Sequence, residues 1–135
     1  MSSTTRSPLL LVLAVVLGIE ALGVSGYTVW FGAQLFVAET GTLSGALFLL
    51  GLFILCSAWL WVMLVGLIRV RPGVRAPAVV WQTTQAVVGI SMINAEGDWW
   101  IVAVVMIVLA LGGGVLLFTP SVSRAIARHP KSDAQ

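Results

Sequence analysis

The chain has 135 residues, 59% of them hydrophobic and 9% charged, and a mean hydropathy of +1.07. Soluble domains run near about 45–50% apolar and about 25% charged, so this chain lacks the polar surface to fold in water and most of it is solvated by lipid. The length admits four membrane helices of about 20 residues and no separate soluble domain of even about 50 residues, and the formal charge of +2 comes without the basic helix or aromatic-and-basic sheet of a nucleic-acid binder.

Four continuous apolar runs are predicted as spans, over 9–31, 43–68, 77–93 and 99–118. The first follows a short polar stretch and Pro8. Arg6 ahead of it and the small residues Ala21, Gly23 and Ser25 are features of a cleaved signal peptide. The apolar stretch nevertheless continues through Val29, Trp30 and Phe31, too long for a signal-peptide core, so the run is expected to remain as a helix. The second contains no charge. Between the second and third lie Arg69, Arg71, Arg75 and the turn dipeptide Pro72-Gly73, and Pro77 suits the first turn of the next helix. The third run is shorter and more polar. Asn94-Ala95-Glu96-Gly97-Asp98 predicts a tight acidic turn before the fourth, which Thr119-Pro120 ends. Residues 119–135 form a basic tail, expected to be disordered or interfacial beyond 120. Short connections imply antiparallel neighbours and an all-α, up-down four-helix bundle. The runs are continuous rather than alternating, which excludes a β-barrel.

Charge placement orients this bundle. The seven Lys and Arg residues are Arg6, Arg69, Arg71, Arg75, Arg124, Arg128 and Lys131, and the topology puts all of them on one side. The opposite loops hold Glu39, Glu96 and Asp98. The positive-inside rule therefore predicts a multi-pass protein of the cytoplasmic membrane with both termini in the cytoplasm. Trp30, Trp99 and Trp100 fall at the predicted outer boundary, where an interfacial aromatic belt belongs. The basic loop and tail also attract anionic lipid headgroups.

Candidate chemistry is sparse. Cys56 is the single cysteine and lies mid-span, so no disulfide framework exists. His129 is the single histidine and lies in the tail, far from Cys56, so the two cannot make a zinc or haem site without outside ligands, and no Ser-His-Asp or Cys-His catalytic set is expected. Gly112-Gly113-Gly114 has no adjacent lysine and sits inside a span, unlike a phosphate loop. No cofactor, metal or enzymatic activity is expected.

Glu20 is the exception. It sits near the middle of the first span, about 16 Å from its start at 1.5 Å per residue. A charge there costs roughly 2.5–3.5 kcal/mol on insertion scales, so it must face the bundle, carry a proton or find a strong partner. Tyr27 lies two turns along on roughly the same face. In the third span Gln85 falls about 12 Å from the start, within a turn in depth of Glu20. Gln82, Gln85, Ala86 and Gly89 share a face. The expected cluster is Glu20 with Gln85, joined by Thr84 or Gln82. It either fixes helix register as polar glue, handles a proton or substrate, or binds a helix of another protein. Ser44, Gly51 and Ala58, seven residues apart, predict a packing seam on the second span, as do Gly41 with Gly45 near its outer end and Ala103, Met106, Ala110 and Gly114 on the fourth. Such seams serve packing within the bundle or a homodimer face.

Three motifs, Leu17-Gly18-Ile19-Glu20-Ala21-Leu22, Arg75-Ala76-Pro77-Ala78-Val79-Val80-Trp81-Gln82 and Leu117-Phe118-Thr119-Pro120-Ser121-Val122-Ser123-Arg124, give the chain its resemblance to a loosely defined group of uncharacterised small four-span membrane proteins of actinobacteria. That resemblance implies topology and origin rather than mechanism. The chain is also similar in outline to small multidrug resistance exporters, with Glu20 matching their first-helix glutamate and Trp81 their third-helix tryptophan. It departs from them after Trp81, where Gln82-Thr83-Thr84-Gln85 replaces a glycine- and tyrosine-rich signature, and in a charge bias opposed to dual topology. The leading expectation is a non-enzymatic accessory or structural component of a membrane assembly, with membrane lipids and a membrane-protein partner or second copy as its contacts. The competing one is a small proton-coupled transporter or exporter using Glu20.

Overall fold

The computed structural model describes residues 8–37 and 42–127. Arg6, Glu39, Gly41, Arg128, His129, Lys131 and Asp133 lie outside them. Every regular element among the described residues is helical: α1 (Pro8–Gln34), α2 (Leu43–Ile68), a 3-10 turn (Pro72–Val74), α3 (Arg75–Ile93), α4 (Trp100–Phe118) and α5 (Pro120–Ala127). Three of them, α1, α2 and α4, are long and apolar enough to cross a membrane. α3 equals α4 in length at 19 residues but is less apolar, since it carries Gln82, Thr83, Thr84 and Gln85.

Local chemistry sets the helix ends. α2 stops in a Schellman motif: the Arg71 amide donates to the Gly66 carbonyl at 2.9 Å and the Val70 amide to the Leu67 carbonyl at 3.0 Å. That places Val70 at φ 53°, a left-handed conformation costing a β-branched residue about 1–2 kcal/mol. Gly97, at φ 112°, turns the acidic loop into α4 at a position that favours glycine. α4 ends at Thr119, which is extended, and Pro120 opens α5.

α5 differs from the expectation for the tail. Val122 and Ile126, four residues apart on one face, are buried in the core, so the segment up to Ala127 folds back as a packed helix. Arg75 secures it from α3. The Arg75 guanidinium donates to the Ser123 hydroxyl at 3.0 Å and its Cζ lies 5.4 Å from the Phe118 ring centre.

The helices form two antiparallel hairpins. In the first, Gly18 faces Leu64, Ser25 meets Ser57 and Gly32 faces Leu50, a register that advances one heptad at a time. The covered positions alternate by three and four: Leu10, Ala14, Leu17, Ala21, Val24 and Thr28 on α1, and Ala46, Leu50, Phe53, Ser57, Leu60, Leu64 and Leu67 on α2. This is the spacing of left-handed coiled-coil packing. Ser44, Gly51 and Ala58 are all exposed, so the seam expected there is not the one that packs. On α4 the covered face includes Ala103, Ala110, Gly113 and Leu117, so Gly113 rather than Gly114 faces inward. In the second hairpin Gly89 brings α3 close to α4: a Cβ there would stand 2.8 Å from Ile107 Cγ1 and 3.1 Å from the Ala103 carbonyl oxygen.

α1 joins the hairpins by packing on α4 and α5, while α2 and α3 share no extended interface. The core collects where α1 begins, α2 ends, α3 begins and α4 ends. The largest fully buried side chains, Leu13, Leu17, Leu60, Leu67, Leu117 and Val122, all belong to this half, hereafter the basic end. Toward the opposite end, where the loop of Glu96 and Asp98 lies and which is called outer only by contrast with the basic end, the buried positions shrink to Thr28, Gly89 and Ala103. Tyr27, Trp30, Phe31 and Phe53 cluster there beside an open groove of about 790 Å³ that Trp99 also lines.

Candidate functional site

Where α1 meets α3, Glu20 is 5% exposed and Gln82 and Gln85 are each 4% exposed. Glu20 follows Leu17 by three residues and Leu13 by seven, so the same spacing that buries those leucines turns the carboxyl inward. Its direct partner is Trp81, whose indole nitrogen donates to Glu20 Oε2 at 2.9 Å. The Gln85 and Gln82 amides neighbour the same carboxyl, but Glu20 Oε1 and Gln85 Oε1 both remain without a hydrogen-bond partner.

Gln82 is held from the other side. With its amide nitrogen turned toward α4, it donates to the carbonyls of Ala110 at 3.0 Å and Leu109 at 3.3 Å. Gly113 makes that seat. A Cβ there would fall 2.6–2.9 Å from the Gln82 amide atoms, so any larger residue drives the side chain out. Trp81, Gln82, Glu20 and Gln85 therefore connect α1, α3 and α4 in one polar layer above the leucine core.

The sequence-expected members separate. Glu20, Gln82 and Gln85 come together; Tyr27 and Thr84 do not join them. Tyr27 is half-exposed and packs edge-on against Phe53, ring centres 5.2 Å apart. Although it shares a face with Glu20, seven residues of helix set it about 10 Å away along the axis. The Thr84 hydroxyl donates to the Val80 carbonyl at 2.9 Å on the exposed side of α3, which satisfies the hydroxyl within its own helix. Trp81 was the missing member. Its indole N–H, one turn inside an apolar helix, needs an acceptor, and Glu20 is the only acid within the predicted spans.

A second polar contact, also unforeseen, lies between α1 and α2. Ser25 and Ser57 hydroxyls are 2.6 Å apart, and the Trp61 indole donates to Ser25 Oγ at 3.0 Å. It supplies the first hairpin with one hydrogen-bonded step in an otherwise apolar seam. Among the described residues no group of three or more His, Cys, Asp or Glu side chains is placed to hold a metal ion.

No protein family, curated protein or solved structure was found to match the chain.

Proposed function

We propose that this is a four-span protein of the cytoplasmic membrane, basic end inward, that serves as a non-catalytic component of a membrane assembly. For α3 as the fourth span, the support is its equal length and antiparallel packing with α4, its inward-turned glutamines and threonine hydroxyls bonded to their own helix. For orientation, Arg69, Arg71, Arg75 and Arg124 stand at one end while Glu96 and Asp98 stand at the other. The resemblance to small four-span actinobacterial proteins belongs to the same proposal.

One observation carries the assembly reading. Among the described residues α2 has α1 as its only extended helix neighbour, and its small-residue face of Ser44, Gly51 and Ala58 is exposed. A Cβ on Gly51 would meet nothing within 4 Å, so the face is open to close approach by a further membrane helix. Tagged protein isolated in mild detergent is expected to bring a membrane protein with it, and Gly51→Leu to lose that partner without lowering the melting temperature. Isolation as a lone chain or homo-oligomer counts against the reading. Cysteines introduced singly into a Cys56→Ser background test topology: in intact cells an impermeant maleimide should label position 98 and spare position 73.

The unpartnered oxygens of Glu20 and Gln85 favour a second reading, proton-coupled transport. Both are acceptors, and a proton on the carboxyl would donate from one to the other. Here Glu20→Gln must abolish proton release on substrate addition while the protein stays folded. A Glu20→Gln variant altered only in thermal stability leaves the carboxyl as glue between hairpins.

A further inference from the structure

The outward face of the second hairpin carries a groove of about 710 Å³, walled by Val79, Thr83 and Ala86 on α3 and by Leu111, Val115 and Phe118 on α4. Its walls are almost wholly apolar. Seven residues of helix on either side make it about 10 Å long, and Ala110 and Gly114 line it with little bulk. At Gly114, which lines the groove, a Cβ would meet nothing within 4 Å, so a large side chain there would project into the groove.

The mouth of the groove opens at the basic end, at Phe118, Thr119 and Pro120. There the guanidinium of Arg75 lies against the Phe118 ring and donates one N–H to Ser123. Neither arginine lines the groove itself, but Arg124 is held on the lining residue Pro120, its Nε donating to the Pro120 carbonyl at 3.1 Å. The acids among the described residues are Glu20, Glu96 and Asp98. The first is engaged in the interior and the other two stand at the outer end, so neither arginine has a described carboxylate beside it. A planar guanidinium held rigid by an aromatic ring and one hydroxyl, with donors left over, is suited to a phosphate.

We infer that this groove binds one anionic phospholipid, its phosphate on Arg75 and Arg124 and an acyl chain along α3 and α4. Charge at the mouth, apolar walls and alignment with the helices all match that occupant, and basic pockets beside membrane helices at the cytoplasmic face take such headgroups. The inference rests on the proposed crossing of α3 and names the lipid class behind the general headgroup attraction. The maleimide experiment tests that crossing separately, and retained lipid with inverted labelling would overturn the orientation but not the site.

The test uses the full chain purified from vesicles of equimolar phosphatidylglycerol and phosphatidylcholine, with retained lipid read by native mass spectrometry. Wild type should retain phosphatidylglycerol at least about fivefold over phosphatidylcholine. Arg75→Gln should bring the ratio near one. Gly114→Leu should expel the lipid with every cation still in place. Arg69→Gln, outside the groove, should behave as wild type. Equal losses in Arg69→Gln and Arg75→Gln, or full retention in Gly114→Leu, overturn the site in favour of diffuse headgroup attraction. If Arg75→Gln does not fold, Arg75→Lys and Gly114→Leu carry the same decision.

Discussion

The two ends of the molecule share the same helices and pack differently. At the basic end, leucines from α1, α2 and α4 close on one another, α5 covers them, and a polar layer of Glu20, Trp81, Gln82 and Gln85 lies above. At the outer end α1 and α2 still pair, and α3 still pairs with α4, but the hairpins contribute no shared large buried side chain and aromatic residues stand around a groove. Lipid is as apolar as leucine, so burial alone gives helices no reason to meet. Close packing, small residues and hydrogen bonds do. The basic end has all three between hairpins; the outer end has close packing only within each hairpin, helped by Gly89 in the second and by the Ser25–Ser57 hydrogen bond in the first.

The contrast can be broken by mutation. The largest expected effect is at Leu17 and Leu117, both fully buried. Leu17→Ala or Leu117→Ala should cost on the order of 2 kcal/mol, mainly the cavity left behind, since lipid weakens the transfer contribution. Leu49→Ala, at an exposed outer position, should stay within about 0.5 kcal/mol. Detergent melting curves compare them, and equal losses would mean that the ends do not differ. Next in size is the polar layer. Trp81→Phe removes the indole donor hydrogen-bonded to Glu20 and should cost about 1–3 kcal/mol. In a double-mutant cycle with Glu20→Gln, a coupling of about 0.5 kcal/mol or more is expected, and strict additivity would show that the indole does not hold the carboxyl. The smallest change sharpens the comparison within the basic end. Val70→Gly relieves the left-handed backbone after α2 while giving up some packing against the core. A net gain below about 1 kcal/mol is expected by the same melting assay. A loss would show that the packing of Val70 outweighs its strain.

Much of this was legible in the residues. The apolar runs located α1, α2 and α4 to within a few residues, because a segment without charges over about 20 residues has little choice in lipid. Glu20, Gln82 and Gln85 were found by the same logic, a polar group in a helix interior having to turn inward. Three features escaped for a related reason. The Ser44-Gly51-Ala58 repeat and the Leu60-Leu64-Leu67 seam are both compatible with heptad packing, and a helix apolar all round carries no facing signal to choose between them. Trp81 sat next to the expected residue, and only the rotation of α3 about its axis brought its indole to the carboxyl. Val122 and Ile126 read as part of the tail in the sequence, because their short helix needs the bundle beneath it to exist.

A charge content of 9% is enough to point to lipid as the solvent and to single out one buried acid. Spacing and turn residues were enough for the order and antiparallel sense of the helices. Which face of each helix is covered, which side chain meets Glu20, and where the hairpins part were decided only by tertiary structure. In a membrane, outward and inward faces are equally apolar, so hydrophobicity marks where a helix is and leaves its rotation to shape, small residues and a handful of hydrogen bonds.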